Sequence, residues 1–509
     1  MGGPHESAAV PSAFRRRCDD LSTPAVQDPF TFKLQLSAVG KIKLVILTLT
    51  LLPVRLLMLC ILCPLMWLLC NIGMIGLSGE QLRCQPLQGW RSILRTLILL
   101  AYRLVLFSLG FHWISSRGSL VSPKEAPIIV VGPHTSMFDQ LILIGYTKQS
   151  LVVQEHALQI PFFGGFCRFM QCISVNYRHP YSRYECRHEI ERRAKSNSCW
   201  FQSVVCPEEV PTNGSCLISF KTGAFSPGLP VQPVCLTLSK ELQSSNLSET
   251  HGNLWKTIWL TMCQVHNQAK IEFLSVIEPD EIDKENPKEY AEKAKQAIAK
   301  CANLPTTDHS REDSRLMITA AENGLPPECG NVEFVKLKSR LKYTVESVHN
   351  MLRQFAAISH TEPGYVTRKE FAKHLGLPVR APVVSLFMSF DKDRNGKIDF
   401  REYLIGVALY CKLKDSQNTT EIAFKKICKN GQQYFKEADL ALVLHSMMPV
   451  KEKHVKKVFS LMDNNSDGHI SFDKFSTFVE KRPEYICLFK KFLIEPLMID
   501  DEPVLPVAI

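Results

Sequence analysis

Apolar positions are spread unevenly along these 509 residues. From 44 to 77 they run almost unbroken, interrupted by Pro53, Arg55 and Pro64. A hydrocarbon core of about 30 Å takes about 20 helical residues. This run is therefore long enough to span, as a signal-anchor or as a hairpin broken at proline. A second apolar stretch, 96–113, carries Tyr102 and Arg103 at its middle. It fits a short span, an interfacial helix with Arg103 snorkelling, or a helix packed on a soluble domain. Beyond residue 122 the pattern changes. Short apolar runs at 128–131, 151–153, 172–175, 203–206, 231–238 and 271–276 read as strands. They alternate with helical patterns at 185–194 and 287–300, which predicts an α/β domain. Helical patterns with short loops then continue to about residue 490.

These shifts divide the chain. Residues 1–41 form a disordered N-terminal segment and 42–115 a membrane anchor region. An α/β domain covers 116–305, a polar linker 306–344, an all-α region 345–490 and a tail 491–509.

The net charge is +10. Arg15, Arg16, Arg17, Lys33, Lys41 and Lys43 precede the long apolar run, which predicts a cytosolic N-terminus. A single type II span would place the remainder in the lumen; a hairpin would return it to the cytosol. The other basic residues are scattered without interleaved aromatics, so nucleic acid is not an expected partner. The 18 cysteines show no regular framework. They read as reduced thiols, which favours a cytosolic face. Sequons at Asn213, Asn246, Asn418 and Asn464 matter only in a lumen.

Candidate chemistry begins with Gly132-Pro133-His134-Thr135-Ser136-Met137-Phe138-Asp139, directly after the apolar run 128–131. An imidazole and a carboxylate five residues apart, just past a strand end, can act as a base and its orienter. The Asp fixes the tautomer, and the ring takes a proton from a substrate hydroxyl.

The all-α region contains Asp391-Lys392-Asp393-Arg394-Asn395-Gly396-Lys397-Ile398-Asp399-Phe400-Arg401-Glu402. This matches an EF-hand loop. Asp391, Asp393 and Asn395 offer side-chain oxygens and Lys397 its carbonyl. Glu402 gives the bidentate carboxylate and Gly396 makes the turn. A second loop, 463–474, starts well with Asp463, Asn465 and Asp467 but ends in Lys474, where the carboxylate belongs. Relics at 359–370 and 428–439 complete a repeat of about 35 residues. The expected arrangement is two paired-hand lobes with one competent Ca2+ site.

Three further blocks follow His134 and Asp139. They are Gly164-Gly165-Phe166-Cys167-Arg168, Pro207-Glu208-Glu209-Val210-Pro211-Thr212-Asn213-Gly214 and Val231-Gln232-Pro233-Val234. Their order and spacing resemble the glycerolipid acyltransferase family, and within it the lysophosphatidylcholine acyltransferases, which join this domain to EF-hands. The resemblance spans about residues 40–490. It implies an α/β acyltransferase domain with an N-terminal membrane-anchoring helical segment and an all-α EF-hand region. It also implies a membrane enzyme of the endoplasmic reticulum, working in a lipid bilayer on acyl-CoA or acetyl-CoA and a lysophospholipid.

In that scheme His134 deprotonates the glycerol hydroxyl, Asp139 orients His134, and the alkoxide attacks the thioester. Glu208, Thr212 and Asn213 line the acceptor site. Arg168, Arg178 or both meet the acceptor phosphate. Two departures stand out. Glu209 and Val210 occupy positions where the family has Gly and Thr. The family Arg of the second block falls at Tyr177 by an ungapped count, one place before Arg178. They leave open a second reading, a calcium-binding membrane protein with weakened chemistry. Glycerol-3-phosphate or lysophosphatidic acid as acceptor also stays open.

Overall fold

A computed structural model describes residues 28–32, 37–176, 179–196, 199–239, 254–411, 416–428 and 432–494. They fall into two compact units, one ending at Arg311 and the other running from Glu312.

The first unit is built on a seven-stranded sheet. Its strands are β1 (Ile114–Arg117), β2 (Ile128–Gly132), β3 (Ser150–Gln154), β4 (Ile173–Val175), β5 (Ser203–Val205), β6 (Val231–Leu238) and β7 (Ala269–Phe273). They lie in the order β1-β7-β6-β2-β5-β3-β4. β6 and β7 pair antiparallel, and the other neighbours are parallel. Every residue of β2 is buried, as a central parallel strand covered on both faces requires. Its side chains alternate between two cores. Ile129 and Val131 join one with Met66, Ile98 and Ile142; Ile128 and Val130 join the other with Ile190, Tyr290 and Ile298. Six of the strands are those expected from the apolar runs. The seventh, β1, carries Ser115, Ser116 and Arg117 exposed and has no apolar signature.

The long apolar run is one helix, Ala38–Met74, continuous through Pro53 and Pro64. Ser37 caps it by accepting from the Gly40 N–H at 3.1 Å. It is not broken into a hairpin. Its partner is the next long helix, Trp90–Ser108, which starts earlier than the stretch 96–113 suggested. Gly73 allows their close approach, because a Cβ there would fall 2.3 Å from the Phe169 ring and 3.0 Å from Leu94. Trp90–Ser108 is two-faced. Leu94, Ile98, Leu99 and Tyr102 are buried, while Ile93, Leu97, Leu100, Leu104 and Phe107 stay exposed at helical spacing. Arg103 does not snorkel: its guanidinium donates to the carbonyls of Phe111 and His112 at 2.7 and 2.8 Å.

Arg55 lies inside the long helix and is 4 % exposed. Its guanidinium donates to the carbonyls of Met262, Gln264 and Val265 at 2.7, 2.6 and 3.0 Å. These carbonyls end the helix Leu254–Met262 and follow it, so a cation here satisfies acceptors that the helix leaves bare.

The second unit holds four hands in two pairs. The strands Tyr365–Thr367 and Lys397–Asp399 pair antiparallel with Val366 opposite Ile398. Tyr434–Phe435 and Ile470–Ser471 pair with Phe435 opposite Ile470. The stretch expected as a linker departs from that expectation. It carries the helices Arg311–Glu322 and Phe334–Leu341, and Leu316, Leu325, Val332, Phe334, Leu337 and Leu341 are buried in the core of the hands. The last described α-helix, Pro483–Phe489, is buried from Glu484 to Phe489.

Candidate functional site

His134 and Asp139 sit beyond the C-terminal end of β2, where open α/β sheets expose their ligand crevices. The His134 Nδ1 lies 2.9 Å from Asp139 Oδ2. The same oxygen accepts from the Thr135 and Ser136 amides at 2.7 and 2.9 Å, and Asp139 is fully buried. An oxygen that already accepts from two backbone amides faces Nδ1 as an acceptor too. Nδ1 therefore carries the imidazole proton, and Nε2 keeps the lone pair a base needs. Burial pulls the His134 imidazole down. The hydrogen bond to Asp139 and the charges of Asp139 and Glu208 outweigh that pull, so its pKa ends above the ordinary 6.5.

The third block supports the backbone of His134. Glu208 Oε1 accepts the His134 amide N–H at 2.7 Å, and Oε2 accepts from Ile218 N–H at 3.4 Å. Thr212 N–H donates to the His134 carbonyl at 2.8 Å. Both peptide groups of the base are thereby fixed. Burial pushes the Glu208 carboxyl up to about 7, against the pull of the His134 amide and charge. Asn213 is turned elsewhere: its side-chain amide donates to the carbonyls of Asp28 and Thr31 at 2.8 and 3.1 Å. That nitrogen is the one a glycan would need, so the Asn213 sequon is engaged internally.

The remaining sequence candidates separate. Arg168 is exposed on the helix Phe163–Phe169. The two glycines of its block serve packing. A Cβ at Gly164 would lie 2.0 Å from the Leu158 carbonyl oxygen, and one at Gly165 would lie 3.1 Å from Trp67. Arg178, like Tyr177, lies outside the described residues. Val210 is buried. Glu209 has φ 65°, a left-handed backbone that favours glycine, and it lines a cavity of about 400 Å³. The sequence reading missed the cations around this cavity, Arg183, Arg187 and Lys221. The first two stand four apart on the helix Pro180–Ala194, and that spacing was the available signal.

Asp391, Asp393 and Glu402 bring one carboxylate oxygen each to within 4.8 Å of one another. The buried Asp391 Oδ1 has no hydrogen-bond partner. Three anions and a bare oxygen in an all-oxygen loop fit a calcium ion. Asp391, Asp393, Asn395, the Lys397 carbonyl and Glu402 are the groups that would hold it.

Two other loops are closed without one. In 359–370, Glu370 Oε1 accepts from the His360 and Thr361 amides at 3.0 and 2.6 Å. In 463–474, the Lys474 ammonium donates to Asp463 at 3.0 Å, to Asp467 at 2.7 Å, to the His469 carbonyl at 3.0 Å and to Asn465. A lysine cation thus fills the seat among the loop oxygens. The wild-type chain should bind one calcium ion in equilibrium dialysis, and Lys474→Glu should bind two. A stoichiometry unchanged by that exchange would show that the ammonium is not what keeps calcium out.

An acyltransferase family model matches residues 114–237, and an EF-hand model matches 383–404 and 455–479. Lysophosphatidylcholine acyltransferase 2 of Danio rerio is 35% identical over 497 residues, covering 97% of this chain and 92% of that protein. The Homo sapiens protein of the same name is 34% identical over 472 residues, 92% of this chain and 86% of its own length. Lysophosphatidylcholine acyltransferase 1 of Rattus norvegicus is 34% identical over 463 residues, with 91% and 86% covered.

Proposed function

The chain belongs to the lysophosphatidylcholine acyltransferase family, and on that premise we propose that it moves an acyl or acetyl group from acyl-CoA to a lysophospholipid. The acceptor is lysophosphatidylcholine or its ether-linked analogue. The observation that carries this reading is the 2.9 Å pair of His134 and Asp139, on a loop whose backbone Glu208 and Thr212 hold at both ends. His134 Nε2 takes the glycerol hydroxyl proton as the oxygen attacks the thioester carbonyl. Thiolate leaves, and the imidazolium is stabilised by Asp139 until the proton is released. Glu208 and Thr212 hold the backbone of His134 from either side of Glu209 and Val210, so the base stays fixed across this departure from the family. Calcium, where bound at 391–402, adjusts the activity.

The setting is a membrane, and we place it at the endoplasmic reticulum. The helix Ala38–Met74 is about 55 Å long at 1.5 Å per residue. Arg55, near its middle, is bound to backbone of the catalytic unit. A straight crossing would carry that backbone into hydrocarbon, where bare polar groups are costly. The exposed apolar stripes of this helix and of Trp90–Ser108 instead suit shallow insertion beside the lipid acceptor.

Acyl transfer from labelled acetyl- and long-chain acyl-CoA to lysophosphatidylcholine, by membranes carrying the intact chain, tests the reading. Calcium and chelator arms test the modulation. Product above that of control membranes is expected. Control-level product with every donor and acceptor would leave an anchored calcium-binding protein without this chemistry.

A further inference from the structure

The helix Phe163–Phe169 turns into the edge strand β4 through Met170, Gln171 and Cys172. Gln171 takes φ 54°, and two hydrogen bonds close the helix end around it. Its N–H donates to the Arg168 carbonyl at 3.0 Å, and the Cys172 N–H donates to the Cys167 carbonyl at 2.9 Å. A helix end closed in this way sets the side chains of the first and last residues of the turn against each other. Here those residues are Cys167 and Cys172, and neither is in a disulfide. The turn is held from outside as well. The Gln171 side-chain amide donates to the Leu82 and Gln85 carbonyls, both at 2.7 Å, and the Gln171 carbonyl accepts from Arg193 at 2.6 Å.

The two thiols differ in their surroundings. Cys167 is fully buried, whereas Cys172 is half-buried and lines a cavity of about 420 Å³ with Arg83, His188 and Arg193. Glu189 of the same lining is already engaged by Arg192 and Arg193. A second guanidinium, Arg95, is 1 % exposed and lies over the Phe201 ring at 4.0 Å. One of its nitrogens donates to the carbonyls of Lys148, Gln149 and Met170, but Nε and Nη1 have no hydrogen-bond partner. A buried cation with bare N–H groups is costly unless an anion stands near it. Burial pulls the Arg95 guanidinium down, and a negative charge on Cys172 is what opposes that pull. In return, the Cys172 thiol ends below its ordinary 9.0. The hydrogen bond with Cys167 lowers it most, burial opposes, and the Leu151 backbone, Arg95 and Arg193 lower it further. The same hydrogen bond, together with burial, pushes Cys167 up. A thiolate beside cations, open to a cavity and touching a second thiol, has the makings of a redox site.

We infer that Cys172 and Cys167 form a peroxide-reactive thiol pair, with Cys172 attacking and Cys167 resolving. The Cys172 thiolate forms an S–O bond to one oxygen of a hydroperoxide as the O–O bond breaks. The other oxygen leaves with the electron pair and takes up a proton. Sulfur is oxidised to the sulfenic acid, and the peroxide is reduced. The Cys167 sulfur then attacks that of Cys172, giving up its proton, and the S–O bond breaks to release water. With hydrogen peroxide the sum is two thiols and one peroxide to one disulfide and two waters. Cys172 precedes β4, whereas His134 follows β2, so in these parallel strands the pair lies at the opposite end of the sheet from the base. The inference goes beyond the acyltransferase reading and does not rest on it.

The test is made on the full chain in membranes, reduced, freed of reductant and exposed to hydrogen peroxide before alkylation and tryptic mass spectrometry. Arg168 lies between the two thiols, so a disulfide joins peptide 149–168 to peptide 169–178, each of which holds one cysteine. That joined pair should form at least about tenfold faster than the exposed Cys199 thiol is lost, the factor that one pH unit of thiolate fraction gives. In Cys167→Ala, dimedone should trap Cys172 as its sulfenic adduct. In Cys172→Ala, Cys167 should remain a thiol at the same dose. Absence of the joined peptides at doses that oxidise Cys199 would overturn the inference, and this wild-type result needs no variant to fold. Undiminished oxidation of Cys167 in Cys172→Ala would overturn it as well.

Discussion

Exchange of His134 for alanine should lower acyl transfer by about 10²- to 10⁴-fold, the share that a positioned general base contributes. The fold should survive, because Glu208 and Thr212 hold the backbone of residue 134 and not its ring. Asp139→Asn should give a loss of similar order, since an amide cannot stabilise the imidazolium as a carboxylate does. The pH profile separates chemistry from damage. The base works only when neutral, so kcat/KM falls as pH drops through the His134 pKa. Asp139 and Glu208 raise that pKa above the ordinary value, so the acid limb of the wild type should stand above 6.5. Removing the Asp139 charge should move the limb of the residual activity to lower pH. Retention of more than about a tenth of the activity in His134→Ala, well outside the range for a lost base, would remove His134 from the mechanism.

Arg55→Leu should destabilise the catalytic unit, although it makes the long helix more apolar and a better membrane segment by composition. Three carbonyls lose their donor, and that of Met262 belongs to a buried residue. A buried acceptor left bare costs about 1–3 kcal/mol, so a total on the order of 3 kcal/mol is expected. Melting of the detergent-solubilised chain should fall by about 5 °C or more. Arg55→Lys should recover little, since one ammonium cannot reproduce the fork that serves three carbonyls. A Leu variant that melts with the wild type would mean that the helix is anchored by its apolar contacts alone.

Much of this architecture could be read before the structure, for reasons that differ from element to element. The strands β2 to β7 announce themselves because each is a short apolar run bounded by polar or turn residues. β1 escapes notice because its serines and arginine lie exposed at the sheet edge. The helix Trp90–Ser108 is misplaced from hydropathy alone, because its exposed apolar stripe starts in the amphipathic turn at Trp90 and Ile93. The polar stretch after residue 305 reads as a linker because its buried leucines are sparse, each covered by distant helices.

The site was legible in kind but not in role. His134 and Asp139 are five apart in sequence, and local geometry brings them together. Glu208 and Thr212 act on the peptide groups of a residue more than seventy positions away, which no local pattern reveals. Lys474 was legible as the loss of a carboxylate. That its ammonium would occupy the cation seat required the coordinates of four oxygens at once.

The clasp at Arg55 also sets an order of events during synthesis. Its three acceptors lie at residues 262, 264 and 265, and ribosomes add roughly 5–20 residues each second. The guanidinium therefore waits on the order of ten to forty seconds for its partners. Throughout that interval the nascent helix carries an unmatched charge at its centre, which holds it at the water-facing boundary and keeps it from settling deep among the acyl chains. Final seating of the anchor is a late step, completed only after residues 262–265, which follow six of the seven strands, have emerged.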